Sequence, residues 1–77
     1  GVTLGHDVVI GDFCNIYPGA HLAGKIAVGD GTFIGLGTSI KENITIGKNA
    51  VIGAGSVVLN DVPDDTTVYG SPAKVTS

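Results

Sequence analysis

The sequence predicts an all-β solenoid, a triangular coil of short parallel strands, because two residue registers repeat with the same period. An aliphatic residue recurs at every sixth position, ten times in succession. A period of six fits neither a helix nor a simple alternating strand, but it suits a short extended segment followed by a corner. The aliphatic register, which we expect to fill the interior, is Leu4, Ile10, Ile16, Leu22, Val28, Ile34, Ile40, Ile46, Ile52 and Val58.

A second register of small or β-branched residues follows each aliphatic residue by four positions. Three repeats of six make one 18-residue turn, so residues 18 apart should stack about 4.8 Å apart, as neighbouring strands do. We expect one domain over residues 1–77, with about three coils in 1–63 and a closing tail in 64–77. The second register is Val8, Cys14, Ala20, Ile26, Thr32, Thr38, Ile44, Ala50, Ser56 and Val62.

The composition excludes several classes of function. Four lysines, no arginine and seven acidic residues give a net charge of −3, which argues against a nucleic-acid surface. The single cysteine, Cys14, precludes an internal disulfide, and its register predicts a packed thiol. No stretch approaches the roughly 18 apolar residues of a membrane span, and we expect a cytoplasmic protein. Because the sequence begins in mid-repeat, we also expect it to be part of a longer protein.

His6 and Asp7 are candidates for acid–base chemistry at a predicted corner. A carboxylate near an imidazole stabilises the imidazolium that forms when histidine acts as a base. Gly24 lies one full turn of three repeats after His6, so its bare backbone N–H should stack one coil above and could bind an oxyanion. Two other interpretations stay open: a solvated corner histidine, and a glycine that is needed for a positive φ.

A metal site is disfavoured by the same registers. His21 lies at a different position of its repeat from His6, and two histidines in different columns do not make a three-histidine zinc site. Cys14 is expected to point inward. We therefore predict no metal and take His21 as a surface residue.

Four segments resemble the hexapeptide-repeat acyltransferases, and in particular the branch of sialic acid O-acetyltransferases and nucleotide-amino-sugar N-acetyltransferases. The resemblance covers nearly the whole chain. It implies a left-handed parallel β-helix, a homotrimer, and acetyl-CoA bound between two subunits. The acceptor would be an amine or hydroxyl of a sugar or nucleotide-sugar. The segments are GHDVVIGDF (5–13), PGAHLAG (18–24), GAGSVV (53–58) and GSPAK (70–74).

The resemblance also implies roles for catalytic residues. His6 would remove a proton from the acceptor, Asp7 would raise the basicity of His6, and the Gly24 N–H would hold the thioester oxygen.

Further residues would bind the cofactor. Asn15 stands where relatives often carry a histidine that contacts the cofactor. Leu36 and Ala54 match positions that meet the pantetheine arm.

Two alternatives accompany this interpretation. Serine acetyltransferases and antibiotic acetyltransferases use the same solenoid, so the acceptor could differ. The chain could also be a non-catalytic trimeric scaffold. An ice-binding prism is disfavoured because the outward residues form no threonine column. The resemblance also implies an N-terminal domain that binds the sugar nucleotide, and we expect that domain to lie outside these 77 residues.

Overall fold

The computed structural model describes residues 1–76, which form twelve short β-strands and no helix. Successive strands along the chain lie on three faces in turn. The first face contains β1 (Thr3–Leu4), β4 (His21–Leu22), β7 (Ser39–Ile40) and β10 (Val57–Val58). The second contains β2 (Val9–Ile10), β5 (Ala27–Val28) and β8 (Thr45–Ile46). The third contains β3 (Asn15–Ile16), β6 (Phe33–Ile34), β9 (Val51–Ile52), β11 (Thr67–Tyr69) and β12 (Lys74–Val75).

Strands β1 to β10 pair in parallel with an offset of three repeats, which confirms the predicted solenoid, whereas β12 pairs antiparallel with β11. On the first face, Leu4 aligns with Leu22, then with Ile40 and Val58. Backbone N–H groups donate to carbonyls one coil further along, as from Gly5 N to Leu22 O at 2.7 Å. Two-residue strands can persist because each coil satisfies the backbone of the next.

The register changes in the last coil, where the prediction for Val62 was wrong. Val62 aligns with Ile46, two positions short of a full turn, and so lies in the aliphatic register rather than the second one. An unbroken count would place Asp64 in that register, and burying its carboxylate would be costly. Shortening the corner by two residues buries Val62 instead, and β11 continues the third face with Val68 aligned to Ile52.

The interior contains both registers, and its polar side chains are hydrogen-bonded. Thr32, Thr38 and Ser56 are fully buried. The Thr32 hydroxyl donates to Gly47 O at 2.7 Å, and the Ser56 hydroxyl to Gly53 O at 2.6 Å. Cys14 has the corresponding place one coil below Thr32, and its Sγ lies 3.2 Å from Gly29 O. The thiol is half-buried, in line with the packed thiol that its register predicts.

The first coil is less buried than the others. Leu4 is 51% exposed because β1 has a single neighbour, β4, on its face.

The three edges of the prism are built from two-residue corners. The first corner comprises residues 6–7, 24–25 and 42–43, the second 12–13, 30–31 and 48–49, and the third 18–19, 36–37 and 54–55. The second residue of each corner has a left-handed φ. At the third corner this residue is always glycine, which adopts such angles without steric cost. These corners connect one face to the next and carry the candidate site.

Candidate functional site

His6 and Gly24 stack on the first corner, as the 18-residue register predicts. The His6 carbonyl accepts a hydrogen bond from Lys25 N at 2.7 Å, which fixes one coil above the other. A Cβ placed on Gly24 would lie 3.2 Å from the His6 carbonyl oxygen. The residue with left-handed φ at this corner is Lys25, not Gly24. A positive φ therefore does not explain the glycine.

The N–H of Gly24 makes no hydrogen bond within residues 1–76, although the Gly24 carbonyl accepts one from Asn43 N at 3.1 Å. The His6 side chain is exposed beside it. A base and a free backbone donor about one strand spacing apart can serve acyl transfer. The imidazole can take a proton while the N–H stabilises negative charge on a carbonyl oxygen.

Asp7 lies on the same corner but is not joined to the His6 side chain. Its backbone has a φ of 60°, a conformation that Asp tolerates better than most residues. Across residues 1–76, neither the imidazole nor the carboxylate forms a side-chain hydrogen bond.

The three candidate cofactor residues gather around a different edge. Leu36 and Ala54 stack on the third corner, and both are exposed, Leu36 by 56%. Asn15 lies on the adjoining third face with its side chain outward. The first face separates this edge from His6 and Gly24. Within one copy of the chain, His6 lies near Gly24, and Asn15 lies near Leu36 and Ala54. These two groups are on different edges and do not contact each other.

A hollow of about 390 Å³ occupies the first face, between the two edges that carry the candidate residues. His21 lies in this hollow, between Thr3 and Ser39 in the same outward column. Sequence reasoning placed His21 on the surface but missed the hollow. The signal was the outward column of Thr3, His21, Ser39 and Val57, which carries no charge.

Residues 1–76 provide neither a metal-binding cluster nor a membrane-spanning helix. No group of three or more His, Cys, Asp or Glu side chains is close enough to hold a metal ion in this part of the chain. Over the same residues there is no helix with the length and hydropathy needed to cross a membrane.

Comparisons with known proteins bear on this geometry. The family model for bacterial transferase hexapeptide (six repeats) matches residues 25–60. Residues 25–60 are therefore hexapeptide repeats of the bacterial transferase type. No curated protein matches its sequence significantly. The matched repeats are those whose 18-residue register builds the second and third coils.

Several solved structures superpose closely on this chain. A mutant of perosamine N-acetyltransferase from Caulobacter crescentus, in complex with CoA and GDP-perosamine, is 36% identical with a TM-score of 0.98, covering 100% of this chain and 37% of that one. The acetyltransferase domain of PglB from Neisseria gonorrhoeae, in complex with acetyl coenzyme A, is 40% identical with a TM-score of 0.94, covering 96% and 36%. WeeI from Acinetobacter baumannii is 40% identical with a TM-score of 0.92, covering 96% and 37%. The chain therefore spans little more than a third of these relatives.

Proposed function

We propose that this chain is the acetyl-transfer portion of an acetyl-CoA-dependent sugar N- or O-acetyltransferase. The observation that carries the proposal is the exposed His6 beside the unpaired N–H of Gly24. The relatives in complex with CoA, acetyl coenzyme A and GDP-perosamine support the choice of cofactor and of acceptor class. The acceptor is a nucleotide-linked amino-sugar or a sugar hydroxyl.

The proposed reaction uses the two groups on the first corner in sequence. His6 removes a proton as the acceptor nitrogen or oxygen attacks the thioester carbonyl of acetyl-CoA. The Gly24 N–H stabilises the oxygen of the tetrahedral intermediate. When the carbon–sulfur bond breaks, the proton held by His6 passes to the departing thiolate. The products are an acetylated sugar and CoA.

A homotrimer would complete the site. Leu36 and Ala54 lie one face away from His6, and in the proposed trimer the cofactor lies between two copies, where it touches Leu36 and Ala54 of one copy and His6 of the next. In the proposed trimer the third corner of one copy, with Asn15 beside it, faces the first corner of the next. The pantetheine arm would be held mostly by contacts with the backbone of Leu36 and Ala54.

The test is acetyl transfer from acetyl-CoA to GDP-perosamine by the purified protein and its His6→Ala variant. We expect His6→Ala to lower kcat by about 10²–10⁴-fold, because a general base contributes that much. His21→Ala is the matched control, since it removes the other histidine, which lies on the first face. Its kcat should stay close to that of the wild type. A His6→Ala variant within tenfold of wild type would refute the role of the base.

Calorimetry with CoA separates the enzyme from the scaffold alternative. A scaffold would not bind CoA, whereas the proposed enzyme binds it in the absence of an acceptor. If CoA binds but GDP-perosamine is not acetylated, a screen with serine and with other amino-sugars then identifies the acceptor class.

A further inference from the structure

Phe13 combines two features that are unfavourable for a free protein. Its backbone has a φ of 59°, in the left-handed region, and its side chain is 90% exposed. The same position in later coils holds Gly31, Asn49 and Asp65, residue types that tolerate this conformation. A bulky residue with such an angle is an outlier, and strained residues of this kind cluster at ligand sites. The combination indicates that the ring has a partner.

The exposed apolar surface around Phe13 is confined to the first coil. Val9, on the second face, is 66% exposed. One coil above, Ala27 and Gly31 occupy the places of Val9 and Phe13. A contact running along the whole prism would need apolar residues in every coil. A patch limited to the coil that carries His6 fits a small ligand better.

Phe13 also lies next after the candidate cofactor residues along the third face. Phe13 and Asn15 are both outward and exposed in the first coil, and two extended residues span about 6–7 Å. Passing across the third face from its edge, the order is Leu36 and Ala54, then Asn15, then Phe13. The backbone of Phe13 therefore lies about 6–7 Å beyond that of Asn15, on the side away from Leu36 and Ala54.

We propose that Phe13 stacks against the sugar ring of the acceptor, in the cleft that its own copy forms with His6 of a neighbouring copy. The proposal rests on the function proposed above and adds a residue that selects the acceptor. The ring would not serve the His6 of its own copy, because the whole second face separates the first corner from the second. An aromatic face complements the polarised C–H groups of a sugar ring, so an apolar deoxy-sugar face is the surface it would favour.

The test compares Phe13→Asn with Phe13→Tyr in steady-state acetyl transfer to GDP-perosamine. Asparagine tolerates the left-handed φ at this corner, and the substitution removes the aromatic ring. We expect Phe13→Asn to raise KM for GDP-perosamine by about 10- to 100-fold, from the burial of one phenylalanine side chain, and to leave KM for acetyl-CoA unchanged. The thermal midpoint should not fall, because strain is relieved. Phe13→Tyr keeps a ring and should restore most of the acceptor affinity.

Each other outcome overturns the proposal. An unchanged acceptor KM in Phe13→Asn shows that the ring does not contact the sugar, while activity lost in His6→Ala would leave the proposed function standing. A smaller particle in light scattering shows that the ring holds copies together instead. Equal increases in KM for acetyl-CoA and acceptor show a general distortion of the cleft. A wild-type protein that transfers no acetyl group removes both proposals.

Discussion

Replacing the buried Thr32 with valine tests what holds the coils together. The Thr32 hydroxyl donates to Gly47 O at 2.7 Å and accepts from Ala50 N at 3.2 Å, linking two coils through one fully buried oxygen. Valine has the same shape but offers no hydrogen bond. The Ala50 N–H would then be buried without a partner, at a cost of about 1–3 kcal/mol. Gly47 is only half-buried and its carbonyl can bind water, so its loss adds about 1 kcal/mol.

We therefore expect Thr32→Val to lower the free energy of unfolding by about 2–4 kcal/mol. Thr45→Val is the matched control, because Thr45 is exposed on the second face and surface changes usually stay within about 0.5 kcal/mol. Urea denaturation followed by circular dichroism measures both. Thr32→Ser should lose only about 0.8 kcal/mol, for one methyl group. If Thr32→Val and Thr45→Val differ by less than about 0.5 kcal/mol, the hydroxyl does not stabilise the solenoid in the way argued.

Three further changes test other parts of the structure. Gly37→Ala should lower the free energy of unfolding by about 1–2 kcal/mol in urea denaturation, because its φ of 68° disfavours a Cβ even though the space there is open; an unchanged stability would contradict this. Cys14→Thr should raise stability by about 0.5–1 kcal/mol in the same assay, since a hydroxyl is a better donor to Gly29 O than the thiol; a loss would show that the sulfur is needed for packing. Gly24→Ala keeps its N–H but places a Cβ 3.2 Å from the His6 carbonyl oxygen, so kcat/KM for acetyl transfer should fall by at least about tenfold with little change in unfolding; equal activity would exclude a close approach of substrate there.

The sequence period was enough to predict the fold because every repeat satisfies the same physical demand. Each coil must bury one aliphatic residue per face and stack its three repeats onto those of the next coil, and the parallel pairing of β1 to β10 on the three faces follows from that count. The prediction failed where the count and the chemistry disagreed. At Asp64 the regular register would bury a charge, so the corner shortened by two residues and Val62 took the place. A prediction from periodicity alone does not include the cost of burying a charged residue.

The candidate site was predictable in its columns but not in its surroundings. Residues 18 apart were correctly expected to stack, which placed Gly24 over His6 and Ala54 over Leu36. The hollow on the first face could not be predicted, because a hollow depends on side-chain sizes across several strands. The only sequence signal for it is an uncharged outward column. The left-handed φ of Phe13 could have been inferred from Gly31, Asn49 and Asp65 in the same column, because three residue types that tolerate that angle mark the position.

A solenoid of equal repeats has no reason to bind a ligand at one coil rather than another, so a site must arise where the repeat is broken. The left-handed corner position is Gly, Asn or Asp everywhere that φ is positive in residues 1–76, except at Phe13 and Lys25. Both exceptions lie in the first two coils, and Lys25 directly follows Gly24. The column that contains His6 and Gly24 continues with Glu42 in the next coil. A side chain such as that of Glu42 would cover the backbone, which Gly24 leaves open. These two exceptions thus lie in the coils that hold His6 and Gly24, and the coils above supply the rigid support that keeps a base and a backbone donor at a fixed separation.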